Sequence, residues 1–442
     1  MNVCVLSGSP KGSCSITLQT ALYLQQRFPE CSFEVLHVGQ RIKAYEKDMS
    51  EVERALAKAD LLLFCYPVYT FLAPCQLHRL IELLKARGME LSGKCAAQIS
   101  TSKHFFDMTA QEYIKQNCLD LNLRYLHGLS ADMDDLLTEK GRTEAEAFFR
   151  YVLFCARSGL GEQRKPAPPP APYAASLPAV PKRDGFPTVI LTNRTADDHS
   201  LWAMIADFQA VYPYSTRVIN LADYPFAGGC LGCFHCAADG KCVYRDGFDS
   251  FLRTEIQTAS AIVYAFTIRD HSMGASFKLY DDRQFCNGHR TVTSGMPVGY
   301  LVHGDYAGEP NLRTVIEGRS QVGGNFLAGA ATTPQEVAAL SQALCYALEN
   351  KLTLPANFYG VGGMKIFRDL IYVMRGLMKA DHQYYKAHGI YDFPQKQRGR
   401  IVMMQLVGSM MRSPALRKKM GNRMNEGMLA PYQKVLQKAA LK

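Results

Sequence analysis

The chain has 442 residues, 48% of them hydrophobic, and a formal net charge of +10, which excludes a disordered chain and leaves room for two domains of ordinary size plus an appendage. No apolar run approaches the roughly 18 residues a membrane-spanning helix needs, and the opening Met-Asn-Val-Cys-Val-Leu enters an apolar strand without the basic flank of a signal peptide. A cytoplasmic protein is expected, whose fourteen cysteines act as thiols and metal ligands rather than as a disulfide framework.

Residues 1–158 alternate short apolar strands with amphipathic helices. Strands are expected at Asn2 to Leu6, Phe33 to His37, Leu61 to Cys65 and Cys95 to Ile99, with a helix from about Ser15. Such a βαβ alternation builds a parallel sheet covered on both faces. After the first strand comes a loop of small and hydroxyl residues, among them Ser7, Ser9, Pro10, Lys11, Ser13 and Ser15, leading into the helix. Amides and hydroxyls at a helix N-terminus, with a lysine beside them, form a site for a phosphate monoester. The loop is neither Gly-x-Gly-x-x-Gly nor Gly-x4-Gly-Lys-Ser/Thr, which speaks against dinucleotides and nucleoside triphosphates. The third strand leads into Tyr66, Pro67, Val68, Tyr69, Thr70 and Phe71, and the fourth into Ser100, Thr101, Ser102, Lys103 and His104. Three loops on one sheet edge suit a flat, phosphorylated ligand.

A proline-rich linker, 159–186, precedes a second α/β series over 187–354. Thr188 to Thr192 aligns with Asn2 to Leu6 and Ala259 to Tyr264 with Ala59 to Phe64, so the second series repeats the first with 14 extra residues between its first and third strands. That added length, after the second strand, carries Cys230, Cys233, Cys236 and Cys242 as C-x2-C-x2-C-x5-C. Thiolates hold both iron-sulfur clusters and zinc. A short triple repeat is commoner in iron-sulfur ligation than in zinc knuckles, so a 4Fe-4S cluster is expected, with zinc as the alternative. Residues 355–442 form a basic, methionine-rich helical tail with sixteen Lys and Arg against four Asp and Glu, and ten of the 18 methionines. Its amphipathic stretch from Gly363 and the apolar Ile401 to Val407 suit packing on the domains, or contact with a protein or membrane surface. Nucleic acid is not expected, because no recognition motif accompanies the charge.

Gly8-Ser9-Pro10-Lys11, Tyr66-Pro67-Val68-Tyr69 and Ser100-Thr101-Ser102-Lys103-His104 together resemble the flavodoxin-like NADPH-dependent FMN reductase superfamily, and the cysteine loop resembles its iron-sulfur flavoprotein branch. The resemblance spans about residues 1–350 as a tandem duplication. It implies two three-layer α/β/α flavodoxin-like domains with parallel sheets. It also implies FMN with its phosphate in the first loop and its ring, shielded by Tyr66 and Tyr69, against the second and third, a cluster exchanging electrons with flavin, and dimers with flavin near the subunit interface. The two series depart from that pattern in opposite ways. The first has no cysteine loop, while the second places Asp197 and Asp198 in its first loop, where a phosphate would meet negative charge.

Together these features predict a division of labour within an internal pseudo-dimer, itself able to pair as a homodimer: FMN in the first domain, the cluster in the second. The expected activity is an FMN-dependent oxidoreductase taking electrons from NAD(P)H or a redox protein, with no side chain assigned as catalyst because flavin carries the chemistry. Two alternatives stand beside it: a non-catalytic electron carrier or docking flavoprotein, and an NAD(P)H-dependent flavin reductase with structural zinc in the cysteine loop.

Overall fold

A computed structural model describes residues 1–164, 171–174 and 176–414, with isolated residues between 429 and 439. Pro166, Pro168, Pro169 and Pro170 of the proline-rich linker and the basic cluster Arg417, Lys418, Lys419 and Arg423 lie outside the described residues. The first domain contains strands β1 (Asn2–Ser7), β2 (Ser32–Leu36), β3 (Leu61–Pro67), β4 (Cys95–Ser102) and β5 (Arg124–Asp132). Its helices are α1 (Ile16–Arg27), α2 (Val38–Tyr45), α3 (Ser50–Lys58), α4 (Cys75–Ala86), α5 (Asp107–Asp120) and α6 (Glu139–Ser158). The second contains β6 (Thr188–Thr192), β7 (Thr216–Asn220), β8 (Ala261–Thr267), β9 (Pro297–His303) and β10 (Phe326–Ala331). Around them lie α7 (His199–Val211), α8 (Phe248–Phe251), α9 (Ala275–Arg283), α10 (Pro310–Gly323) and α11 (Pro334–Glu349).

Both sheets are wholly parallel and share one strand order, β2-β1-β3-β4-β5 and β7-β6-β8-β9-β10. The central strands are buried on both faces, which is why β3 and β8 read as unbroken apolar runs rather than alternating ones. Each sheet separates two apolar layers, one on either face. The two domains are α/β units of flavodoxin-like topology.

The domains meet through α4 and α9, and the contacts are reciprocal. Cys75, the first residue of α4, donates its amide to Asp282 at 2.8 Å, and Ala275, the first residue of α9, donates its amide to Glu82 at 2.8 Å. The paired positions are 200 apart in the chain. The loops ahead of these helices match as well, for Thr70 and Phe71 (φ 43° and 73°) correspond to Asp270 and His271 (φ 51° and 59°). Each helix N-terminus is thus held by a carboxylate of the other helix.

One compact unit runs from Met1 to Tyr384. Helix α12 (Phe358–Val373) and the start of α13 (Lys379–Ala387) belong to it. Ile371 is fully buried and Met364 and Phe367 pack on the first domain's core, so the stripe that marks an amphipathic helix is spent on packing. The second unit, Tyr385 to Lys442, contains a Tyr385, Tyr391 and Phe393 aromatic cluster and α14 (Arg398–Met410). Along α14, Ile401, Val402, Met403, Met404, Leu406 and Met410 are exposed. No helix among the described residues is long and apolar enough to cross a membrane.

Candidate active site

A cavity of about 470 Å³ opens where the C-terminal edge of the first sheet faces the cysteine loop. From the first domain it is lined by Ser9, Lys11, Ser15, Ile16 and Thr17, then Pro67 to Phe71, then Thr101, Ser102 and Lys103. From the second it takes all four cysteines of the C-x2-C-x2-C-x5-C run. None of 193–200 or 266–274, the corresponding loops of the second domain, is among its lining residues.

The loop after β1 is compact because its own polar groups fold it. Ser9 Oγ accepts from the Lys11 amide at 3.3 Å, and Ser15 caps α1 by accepting from the Leu18 amide at 3.4 Å. The amides of Ile16 and Thr17, in the first turn of α1, have no partner within the helix and stand at the positive end of its dipole. Lys11 lies 5.1 Å over the Phe234 ring of the cysteine loop, at the same end of the cavity. Thr101 donates to Thr17 across the floor at 2.7 Å. These groups fit a phosphate ester.

The structure divides the sixteen residues expected around the flavin. Ser9, Lys11, Ser15, Pro67, Val68, Tyr69, Thr70, Phe71, Thr101 and Ser102 line the cavity. The others do not. Ser7 and Pro10 are buried in the loop's base and Ser13 points to solvent. Tyr66 is fully buried in the core and donates to Gln98 at 2.6 Å, because a residue still inside β3 must alternate inward. Ser100 lies beneath the surface, accepting from Gln111 at 2.9 Å, and His104 turns away to Asp107 at 2.8 Å.

The aromatic wall of the cavity is built by side chains that are distant in sequence. Tyr69 contacts Phe285 (5.5 Å between centroids), Phe285 contacts His289 (6.3 Å), His289 contacts Phe367 (4.5 Å), Phe367 contacts Phe105 (4.3 Å) and Phe105 contacts Phe71 (5.1 Å). All six line the cavity, and the chain of contacts begins and ends on one loop. The only sequence signal for Phe367 is its place in the apolar stripe of α12, and that stripe does not say what it packs against.

The cysteine loop is anchored from behind by Arg283, a fully buried side chain that donates to Gly228 O at 2.9 Å and to both carboxylate oxygens of Asp246 at 2.8 and 2.7 Å. Gly229 and Gly232 let the loop press on the first domain. A β-carbon at 229 would collide with Cys75 Sγ, and one at 232, where φ is +60°, would collide with Tyr69 Oη. Burial, with Asp282 and the neighbouring thiols, pushes the Cys230 thiol up to about 12, against the Gly232 amide that donates to its sulfur at 3.4 Å. Burial, then Cys242 and Cys233, pushes Cys236 up to about 11, and its thiol donates to Phe285 O at 3.1 Å. The thiols face one cavity from one loop but are not drawn together: among the described residues no three His, Cys, Asp or Glu side chains are gathered as for a metal ion. As a donor set, four cysteines that must lose protons to bind suit an iron-sulfur cluster or zinc.

In the second domain the first loop fills itself. Asp198 accepts from the Thr195 amide at 2.7 Å and its hydroxyl at 2.9 Å, and pairs with Arg269 at 2.8 Å. A carboxylate and its cation take up the donors that an anion would need.

No curated protein matches the chain. Among solved structures, an NAD(P)H:quinone oxidoreductase from Methanothermobacter marburgensis is 14% identical over 37% of this chain and 98% of its own, with a TM-score of 0.29. An FMN-dependent NADH-azoreductase from Bacillus anthracis is 13% identical over 34% and 98%, with a TM-score of 0.28. The apo form of an NADH:FMN oxidoreductase is 17% identical over 37% and 91%, with a TM-score of 0.31. The assignment that the chain itself supports is confined to its first domain: residues 1–128 match the family model of the NADPH-dependent FMN reductases.

Proposed function

We propose that the protein is an FMN-dependent NAD(P)H oxidoreductase of iron-sulfur flavoprotein type, arisen by tandem duplication, with FMN in the first domain and a 4Fe-4S cluster on Cys230, Cys233, Cys236 and Cys242. The observation that carries this reading is that the phosphate-binding loop, the Tyr69 loop and all four cysteines line the same cavity. Lys11 and the amides of Ile16 and Thr17 would hold the phosphate, and Thr101, Ser102 and Tyr69 to Phe71 would line the space for the ring. FMN takes up two electrons from NAD(P)H and releases them singly, while a cluster handles one at a time. The chain's part is to fix both groups in one apolar, aromatic-walled space and keep bulk water from the ring. The self-filled first loop of the second domain supports one flavin per chain.

The test is cofactor analysis of anaerobically purified protein. A single FMN with about four iron and four acid-labile sulfides per chain is expected. Two FMN per chain refute the division of labour, and zinc without sulfide refutes the cluster. Turnover of NADPH with an artificial acceptor separates an enzyme from a carrier reducible only by a protein partner.

A further inference from the structure

Helix α9 of the second domain reaches into the flavin loop of the first. Lys278 Nζ donates to Tyr69 O at 2.7 Å and pairs with Asp282, which accepts from the Cys75 amide at 2.8 Å. Both side chains are buried, at 3% and 0% exposure. The pair therefore grips both ends of the segment Tyr69 to Cys75, of which Tyr69, Thr70 and Phe71 line the cavity.

That segment needs holding. Thr70 and Phe71 both sit at positive φ, a region unfavourable to residues with a β-carbon. Helix α4 begins after Pro74, whose side chain offers no cap. Asp282 supplies the missing cap from the other domain, and Lys278 fixes the carbonyl where the loop leaves β3. The next residue, Arg283, holds the base of the cysteine loop through Gly228 and Asp246. Helix α9, from Lys278 to Arg283, thus braces both loops that face the cavity.

We infer that Lys278 and Asp282 are positioning residues for the flavin: the second domain sets the conformation in which the first domain's loop receives the ring. This rests on the reading that the first domain binds FMN. The pair contributes no atom to the cavity wall. Its effect passes through the backbone of Tyr69 and Cys75.

Removing one partner strands a buried charge and endangers folding, so the informative variant is the double Lys278→Met, Asp282→Leu, which removes both charges. FMN affinity is measured by fluorescence titration of the full-length apoprotein, alongside urea denaturation. The expected result is an unfolding midpoint near wild type with FMN binding weakened about tenfold or more, the scale for losing hydrogen bonds to charged groups. Unchanged FMN affinity in folded double variant overturns the inference. Hydrogen exchange on the wild-type protein gives a second, mutation-free reading. By reciprocity, FMN should slow exchange of the Cys75 amide and of Lys278 to Arg283 in α9. Protection confined to the first domain overturns the inference. Failure of the wild-type protein to bind FMN instead overturns the site assignment itself.

Discussion

Raising the pH should loosen the joint between the two domains at His271. Its Nε2 lies 2.8 Å from Asp120 at the end of α5, and its Nδ1 lies 2.7 Å from Glu309 before α10, so one imidazole bridges a carboxylate from each domain. Arg164 stands 3.4 Å from Nε2, and Lys85 pairs with both Asp120 and Asp270 at 2.9 Å. Burial alone would disfavour the imidazolium, but the hydrogen bonds and charges of Asp120 and Glu309 outweigh it and carry the His271 pKa up to about 9. Because the folded value exceeds the unfolded value near 6.5, the stabilisation is complete below about pH 6.5 and is lost as the pH climbs through about 9. The rise is worth about 3 kcal/mol at about 1.4 kcal/mol per pH unit. Denaturant unfolding of wild type and His271→Gln at pH 6.5 and pH 9 isolates this contribution, because other titrations cancel in the difference. The variant should be less stable by about 3 kcal/mol at the lower pH, with the gap nearly closed at the higher. An equal gap at both values would refute the bridge.

Lys11→Ala should weaken FMN binding about tenfold while leaving riboflavin binding nearly unchanged, since only FMN carries the phosphate; parallel loss of both in fluorescence titrations would place the phosphate elsewhere. Gly232→Ala should displace the loop from Tyr69 and lower both FMN affinity and iron content, whereas Gly362→Ala, which meets nothing within 4 Å, should change neither. Arg283→Met leaves Asp246 unpaired beneath the cysteine loop and should cost about 3 to 5 kcal/mol, read as a fall in unfolding free energy together with faster alkylation of Cys230 and Cys236. Phe367→Ala breaks the aromatic chain between Phe105 and His289 and should raise KM for ring-shaped acceptors severalfold at unchanged FMN content; an unchanged KM would leave Phe367 a packing residue only.

Sequence alone determined the local grammar of this protein. Unbroken apolar runs at Leu61 and Ala261 fit central strands of parallel sheets, and the Ser9 to Ser15 loop entering a helix puts amides and hydroxyls at its N-terminus. The spacing of Cys230, Cys233, Cys236 and Cys242 placed four thiols on one loop. Such features follow from neighbours in the chain. Which side of a strand end faces the cavity did not: Tyr66 and Tyr69 look alike in sequence, yet one is core and the other cavity wall, because β3 keeps its alternation through Tyr66.

Only tertiary structure decided that α12 closes the aromatic wall, and that Lys278 and Asp282 brace a loop about 200 residues away. A buried ion pair on an α9 that reads as an ordinary polar helix carries no sequence mark of its partner, since the desolvation that makes it matter exists only once two domains have met. The same meeting set the cysteine loop of one domain against the Ser9 to Ser15 loop of the other, which turned two separate motifs into one cavity.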